Sequence, residues 1–508
     1  MASKYIRVPV TASYNTRVST TNSAVGMTGI WGVGIWGTFI WGSTPTSSTK
    51  DSRMVNSFNE TNSDPITGDK KIYWTKRPGW GTNSTPSAGN IATAILVWTG
   101  QGTGDKVMTA FGGTNSTLFD GTVSKGAITG KATAITETFV GASVATIVMS
   151  STDSTAWYYD AGATVAVATQ ISDGDFPGNN SYTLAGTFAH IDGYACIMTT
   201  DGKLWASDLN TLTAWTATSY GSANSFPDKG IGCIRYRQYI MAFGTQSVEF
   251  FYNAGQTPFP FQKSPTMTVK VGCISADALT SISDTVFWCG STPQGGLSIF
   301  KYDGTVQRIS TPSIDSIMLI AGASAITMTS VRFYGRSFLL CIVGSRTLAY
   351  CVEEQEWHEW SATNGVLWYK CAATSIGSTM VNYAISNTVT GGKVYIMNQS
   401  SLLYTDDGTA FTATAQMALM DFGTKKRKFW DSVEVVGDEQ TSASALTISY
   451  SDDDYQNSSS WGTVDLSDSR PVARRLGASR RRAWILTHAA NTPMRIEALE
   501  IRARIGAS

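Results

Sequence analysis

The chain has 508 residues, of which 15% are charged, with 38 Lys+Arg against 38 Asp+Glu. A balance of this kind gives no global field to draw in nucleic acid or an anionic membrane, so any electrostatic partner must be met locally. Only three histidines, His190, His358 and His488, count against a metalloenzyme or a Ser–His hydrolase, and seven dispersed cysteines without a CxxC pair point to buried free thiols in a reducing compartment.

Gly, Ser, Thr and aromatic residues are abundant and helix formers scarce, which favours an all-β chain. The start, MASKYIRVPV, has no basic stretch followed by an apolar one, so no signal peptide is expected. Between Arg17 and Lys50 there is no charge, and residues 29–42 read GIWGVGIWGTFIWG. Trp31, Trp36 and Trp41 recur every five residues, which is neither the strand nor the helix period. A membrane span and a low-complexity loop are two readings, and the glycines and the Ser/Thr flanks argue against the span. The reading adopted is an arm whose tryptophans dock on a neighbouring subunit, since large exposed aromatics mark contact surfaces. A polar loop from Met54 then leads into a strand at 71–75 and an Arg77-Pro78-Gly79 turn. Residues 1–95 are thus an N-terminal arm and extension.

From 96 to 412 one pattern recurs: apolar strand, Gly/Ser/Thr turn, apolar strand, turn, returning strand. Its fullest copy is YIMAFGTQSVEFFYNAGQTPFPFQ, Tyr239 to Gln262. There Val248, Phe250 and Tyr252 share one face and Glu249 and Phe251 the other. Pro258 and Pro260 forbid a central strand, so the last arm belongs at an edge. Anchors in the second strand of each copy, Leu118, Trp157, Trp205, Phe250, Ile299, Leu348 and Val394, fall about 39 to 49 residues apart. That is the roughly 40–50 residue period of propeller blades. We expect a β-propeller of about seven blades, six to eight, with a large β-sandwich array as the competing fold. Asp-Gly pairs at 120, 201, 303 and 407 predict two-residue hairpin turns with positive φ at both residues.

Residues 413–508 change texture and are read as a small C-terminal β-domain. The Glu353, Glu354, Glu356, His358, Glu359 group lacks metal-site spacing and is read as a solvated hairpin. Asp452, Asp453 and Asp454 hint at a calcium loop, but Asn457 and Thr463 stand where that loop needs Gly and Glu, so turn chemistry explains them. The sharpest feature is basic: Arg470, Arg474, Arg475, Arg480, Arg481 and Arg482 around a Leu476-Gly477 turn. Alternation along a strand would send successive arginines to opposite faces, which suits carboxylate pairing within the domain or at an interface more than one DNA track. Passing contact with nucleic acid and plain solvated charge remain the other readings. No catalytic residue, metal ligand or cofactor site is expected.

Together MVNSFNE…KIYWTKRPG, LWASDLNTLTAW, FGTQSVEFFYNAGQTPFPFQK, GCISADALTSISDTVFWCG, RISTPSID, GTKKRKFW, ISYSDD and RRLGASRRRAW resemble the tail hub (nozzle) proteins of short-tailed phages, the packaged-DNA stabilisation family. The resemblance runs over roughly residues 54–484, and the tryptophan-glycine arm departs from it. It implies a structural virion protein of the short tail, assembled in the host cytoplasm as a homo-hexamer beneath the portal and adaptor (head–tail connector) rings. Such a ring extends the DNA channel, passes double-stranded DNA without sequence specificity, retains the genome and anchors tail fibres or tailspikes, with no membrane in the virion. Near-neutral charge agrees with a channel that lets DNA slide. The interface residues expected from the residues themselves are Trp31, Trp36 and Trp41 in the arm and Arg474, Arg475, Arg480, Arg481 and Arg482 in the basic run. A glycan-binding or glycan-cleaving propeller is the alternative, and it would offer clustered carboxylates in a central cleft.

Overall fold

The structure is a computed structural model and describes residues 3–10, 52–63, 70–101, 104–140, 144–160, 167–291, 296–362, 365–376, 379–388 and 391–506. Two compact units result, one from Thr82–Ser345 with Asn364–Ser401, the other from Met1–Gly81, Arg346–Thr363 and Leu402–Ser508.

The first unit is a β-propeller. Five antiparallel four-stranded sheets follow in chain order, and a sixth is built from Lys370–Ile376, Thr379–Ile385, Val394–Asn398 and the far earlier strand Gly81–Ser84. The hairpin Ile326–Phe333 with Arg336–Val343 takes a further place in the series. First strands pack in succession: Ala132–Val140 on Ala92–Gln101, Leu184–Ile191 on Ala132–Val140, and Gly230–Tyr236 on Leu184–Ile191. Ile326–Phe333 packs on both Leu279–Ile282 and Lys370–Ile376, and the latter returns to Ala92–Gln101. The 3-10 turn Ala276–Ala278, just ahead of Leu279–Ile282, packs on both Leu184–Ile191 and Ile326–Phe333, and the ring closes there, as the repeat period predicted.

Each sheet has one strand more than the repeat showed. The anchors Leu118, Trp157, Trp205, Phe250, Ile299 and Val394 all lie on third strands, because a first strand lines the ring inside the three that carry the pattern. Both faces of a sheet are covered by neighbours. Trp98, Met108 and Leu118 pack with Ile147, Met149 and Tyr159 between the first two sheets, and Phe176, Phe188, Trp205 and Trp215 fill the next gap. The strand after Pro258 and Pro260, Phe261–Val269, is the outermost of its sheet, as two prolines require. Of the Asp-Gly turns, only Asp407-Gly408 has positive φ at both residues; at 121, 202 and 304 only the glycine does. All seven cysteines are free, six buried and Cys371 half-buried, and burial pushes the Cys233 and Cys341 thiols up to about 12. One α-helix occurs among the described residues, Pro312–Ala321, which starts with Pro at its first position and ends at Gly322 with φ +83°.

The second unit is two sheets enclosing one core. One sheet runs Ser57–Ser63, Lys70–Lys76, Arg495–Ile505, Lys428–Gly437, Val472–Arg474, with Ser3–Pro9 also on Arg495–Ile505 and Ala478–Ser479 on Lys428–Gly437. The other includes Glu356–Trp360, Arg53–Val55, Ala413–Gln416, Ala483–His488, Ala445–Ser451 and Ser459–Asp465. Trp74, Trp430, Val433, Leu499 and Ile501 from the first meet Leu446, Ile448, Trp484 and Leu486 from the second. Strands 400 residues apart in sequence thus share one hydrophobic core, since neither sheet can bury its apolar face alone.

Candidate functional site

In the propeller unit, first strands side by side leave a cavity of about 460 Å³ lined by Thr136, Glu137, Phe188, His190, Arg235 and Ser281. Burial raises the Glu137 carboxyl above the usual carboxylate range. Glu137 is the one carboxylate on this lining among the described residues, whereas glycoside hydrolysis in most families takes two. Among the described residues no group of three or more His, Cys, Asp or Glu could hold a metal ion, and no helix is long and apolar enough to cross a membrane.

In the other unit the Arg77-Pro78-Gly79 turn is a lock. Arg77 is fully buried and meets Asp406 through two bonds, Nη1 to Oδ1 at 3.1 Å and Nη2 to Oδ2 at 2.6 Å. Its Nε donates to Asn56 Oδ1 at 2.9 Å, and the remaining N–H groups reach the carbonyls of Pro78 and Ser361 at 3.0 and 2.9 Å. All five guanidinium donors are used. The Phe411 ring lies 4.0 Å from the guanidinium carbon. Asn56 holds its place in the left-handed region at φ +53° and donates to Thr412 O. Gly79 has no alternative, because a Cβ there would stand 2.1 Å from the Thr405 carbonyl oxygen.

The acidic hairpin is not solvated as expected. His358 is completely buried, and burial lowers its pKa to about 3. Glu354 accepts from Thr61 N and Oγ1, and Asn59 donates to Glu356 at 2.5 Å. The hairpin is half core because Glu356–Trp360 pairs on both sides, with Arg346–Cys351 and with Arg53–Val55. The Asp loop is turn chemistry: Asp453 accepts from Ser451 Oγ and from Asn457 N and Nδ2.

The arginine run does not alternate along one strand. Arg474 ends Val472–Arg474, Arg475 turns away at φ +61°, and Arg480 and Arg481 sit in the bend before Ala483–His488. Arg474, Arg475, Arg480 and Arg481 are exposed. Arg482 is 1% exposed and committed inside the unit. It pairs with Asp452 through two 2.7 Å bonds, donates to Leu476 O, and lies 3.7 Å over the Tyr450 ring. At the start of the run, Arg470 holds Glu434 through two bonds at 2.9 and 2.7 Å. Trp31, Trp36 and Trp41 lie outside the described residues.

Beside this run stands a second basic segment, Lys425, Lys426, Arg427 and Lys428, which sequence reasoning passed over. Lys428 pairs with Ser479 across the sheet, and Met420 bridges to Arg482. Lys428 is 2% exposed, and its ammonium donates to the carbonyls of Thr424, Lys426 and Arg480 at 2.6, 3.0 and 2.7 Å. One buried lysine thereby fastens the two basic loops to each other. The signal was available: Lys428 and Trp430 alternate with Phe429, so a strand that buries Trp430 buries Lys428 too.

Among solved structures the chain is similar to BamB from Moraxella catarrhalis, at 12% identity and a TM-score of 0.37, covering 68% of this chain and 96% of that one. It is also similar to the N-terminal domain of Nup159, at 10% identity and a TM-score of 0.39, covering 68% and 98%. At these TM-scores neither carries a functional argument. A search of the curated proteins finds no match. The family model described as bacteriophage P22 Gp10, beta-propeller, matches residues 115–375, just over half of the chain and most of the propeller unit. The chain belongs to this phage stabilisation family.

Proposed function

We propose that the chain is the tail hub, or nozzle, of a short-tailed phage, a structural component of the virion and not an enzyme. The family match over the ring of four-stranded sheets is the observation that carries this reading. In it, six copies form a ring below the adaptor, extend the DNA channel, hold the packaged genome and anchor fibres or tailspikes. Assembly takes place in the host cytoplasm, which suits seven free thiols. The uncharged tryptophan arm at 29–42 docks on a neighbouring copy. The test is electron microscopy of the particle together with particles made without this chain. A six-fold ring at the tail vertex, and heads that lose DNA when it is missing, are expected. A chain absent from particles, or hydrolysis of host glycans by pure protein abolished by a Glu137→Gln change, would overturn it.

A further inference from the structure

The loops 421–427 and 475–481 form a single cationic face. Lys425, Lys426, Arg427, Arg475, Arg480 and Arg481 are exposed there, brought together by the Lys428 staple, the Met420–Arg482 bridge and the pairing of Trp430 N with Gly477 O and of Leu476 N with Trp430 O. The two loops are about 50 residues apart in sequence, and only the fold makes them adjacent. Carboxylates near them are already engaged or few. Asp452 holds Arg482, Asp431 holds Arg504 through both oxygens, and Glu434 holds Arg470. Asp421 accepts from Gly423 N within its own loop. Among the described residues, Lys425, Lys426, Arg427, Arg475 and Arg480 form no ion pair.

In a chain with zero net charge, this crowding of like charges is unfavourable unless an anion completes it. The backbones that carry the cations are held by buried groups. Lys428 joins the loops from below, and Arg482 pins Leu476. The charged side chains are therefore presented from a fixed base, which lowers the ordering cost of binding. Three of the five cations without an ion pair, Arg427, Arg475 and Arg480, are arginines, whose forks match phosphate oxygens two at a time.

We infer that this double loop is a binding site for the phosphodiester backbone of double-stranded DNA, contacting it without reading sequence. The identity of the polyanion rests on the hub reading; the cationic face itself does not. In a particle it would act as a local grip on a chain with zero net charge, holding the genome by charge and releasing it without base-specific contacts.

The test uses the full chain and a labelled 30-base-pair duplex of mixed sequence, followed by fluorescence anisotropy from 50 to 200 mM salt. Each phosphate contact adds about −0.9 to the slope of log K against log salt, so three to five contacts weaken binding roughly 40- to 500-fold over that range. The variants K425Q/K426Q/R427Q and R475Q/R480Q should each shallow the slope by about 0.9 per lost contact. Arg346→Gln, an exposed arginine outside both loops, should leave it unchanged. Lys428 and Arg482 are kept, so thermal unfolding should match the parent and separate lost binding from lost fold. Equal slopes for parent and both loop variants, or no duplex binding at 50 mM salt, overturn the inference. So does loop-dependent binding of poly-glutamate or phosphatidylserine vesicles without binding of the duplex, which would mark an acidic protein or a membrane as the partner. A ring at the tail vertex that ignores DNA would remove the grip and leave the hub standing. Duplex binding by a chain that never enters particles would keep the grip and remove the hub.

Discussion

Replacing Arg77 by Met removes one charge from a pair with no access to water, since Arg77 is 0% and Asp406 2% exposed. The Asp406 carboxylate would keep one hydrogen bond, from the Trp80 amide at 3.2 Å, and the attraction of the Lys76 ammonium against its buried negative charge. Breaking such a pair from one side costs about 3–5 kcal/mol. The orphaned carbonyls of Pro78 and Ser361 add up to about 1–3 kcal/mol each if they stay dry. These terms share one site and do not sum. Taking 3–5 kcal/mol, the unit of Met1–Gly81, Arg346–Thr363 and Leu402–Ser508 should melt about 6–20 °C lower, at the usual 2–4 °C per kcal/mol for a body of this size. Asp406→Asn should be costly as well, because it leaves the guanidinium unpaired. Arg77→Met with Asp406→Leu should recover much of the loss, since a buried pair replaced by apolar groups is often neutral. Calorimetry can resolve the two units if they melt separately, and hydrogen exchange at the Gly79, Trp80 and Asp407 amides reports the lock locally. A single variant that loses less than about 1 kcal/mol, the range of surface pairs, would refute the reasoning.

Other outcomes follow from the same unit and its partner. Burial lowers His358 to about 3 and His488 to about 4, so the unfolded chain takes up these protons first. The stability they confer is therefore full above about pH 6.5 and drains as pH falls toward the folded values, by about 1.4 kcal/mol per pH unit for His358; urea unfolding at pH 7, 6 and 5 should show His358→Leu flattening this slope. Gly79→Ala drives a Cβ to 2.1 Å from the Thr405 carbonyl and should destabilise the same unit by about 1–3 kcal/mol, read from its urea midpoint. Burial pushes the Cys371 thiol up to about 12 as well, so all seven thiols should resist a disulfide reagent at pH 8 until the protein unfolds; rapid labelling of several thiols in the folded chain would contradict the packing.

Strand alternation, glycine and Asx turns and the spacing of Leu118, Trp157, Trp205, Phe250, Ile299 and Val394 are local properties, and from them the chain's all-β character and its propeller repeat were legible. The same is true of the outer position of Phe261–Val269, because a proline lacks the amide a central strand must donate. Partner choice is not local. A period of two says which residues share a face, but not which strand, hundreds of residues away, will cover it. Hence the three-strand pattern did not show which strand of each blade lines the ring, and the docking of Ser3–Pro9 and Lys70–Lys76 on Arg495–Ile505 went unseen. The burial of His358, the Arg77–Asp406 lock and the meeting of residues 425–428 with 475–482 belong to the same class. Each depends on which apolar faces close over which polar groups, and only the assembled core, through desolvation and the hydrogen bonds it then demands, decides that.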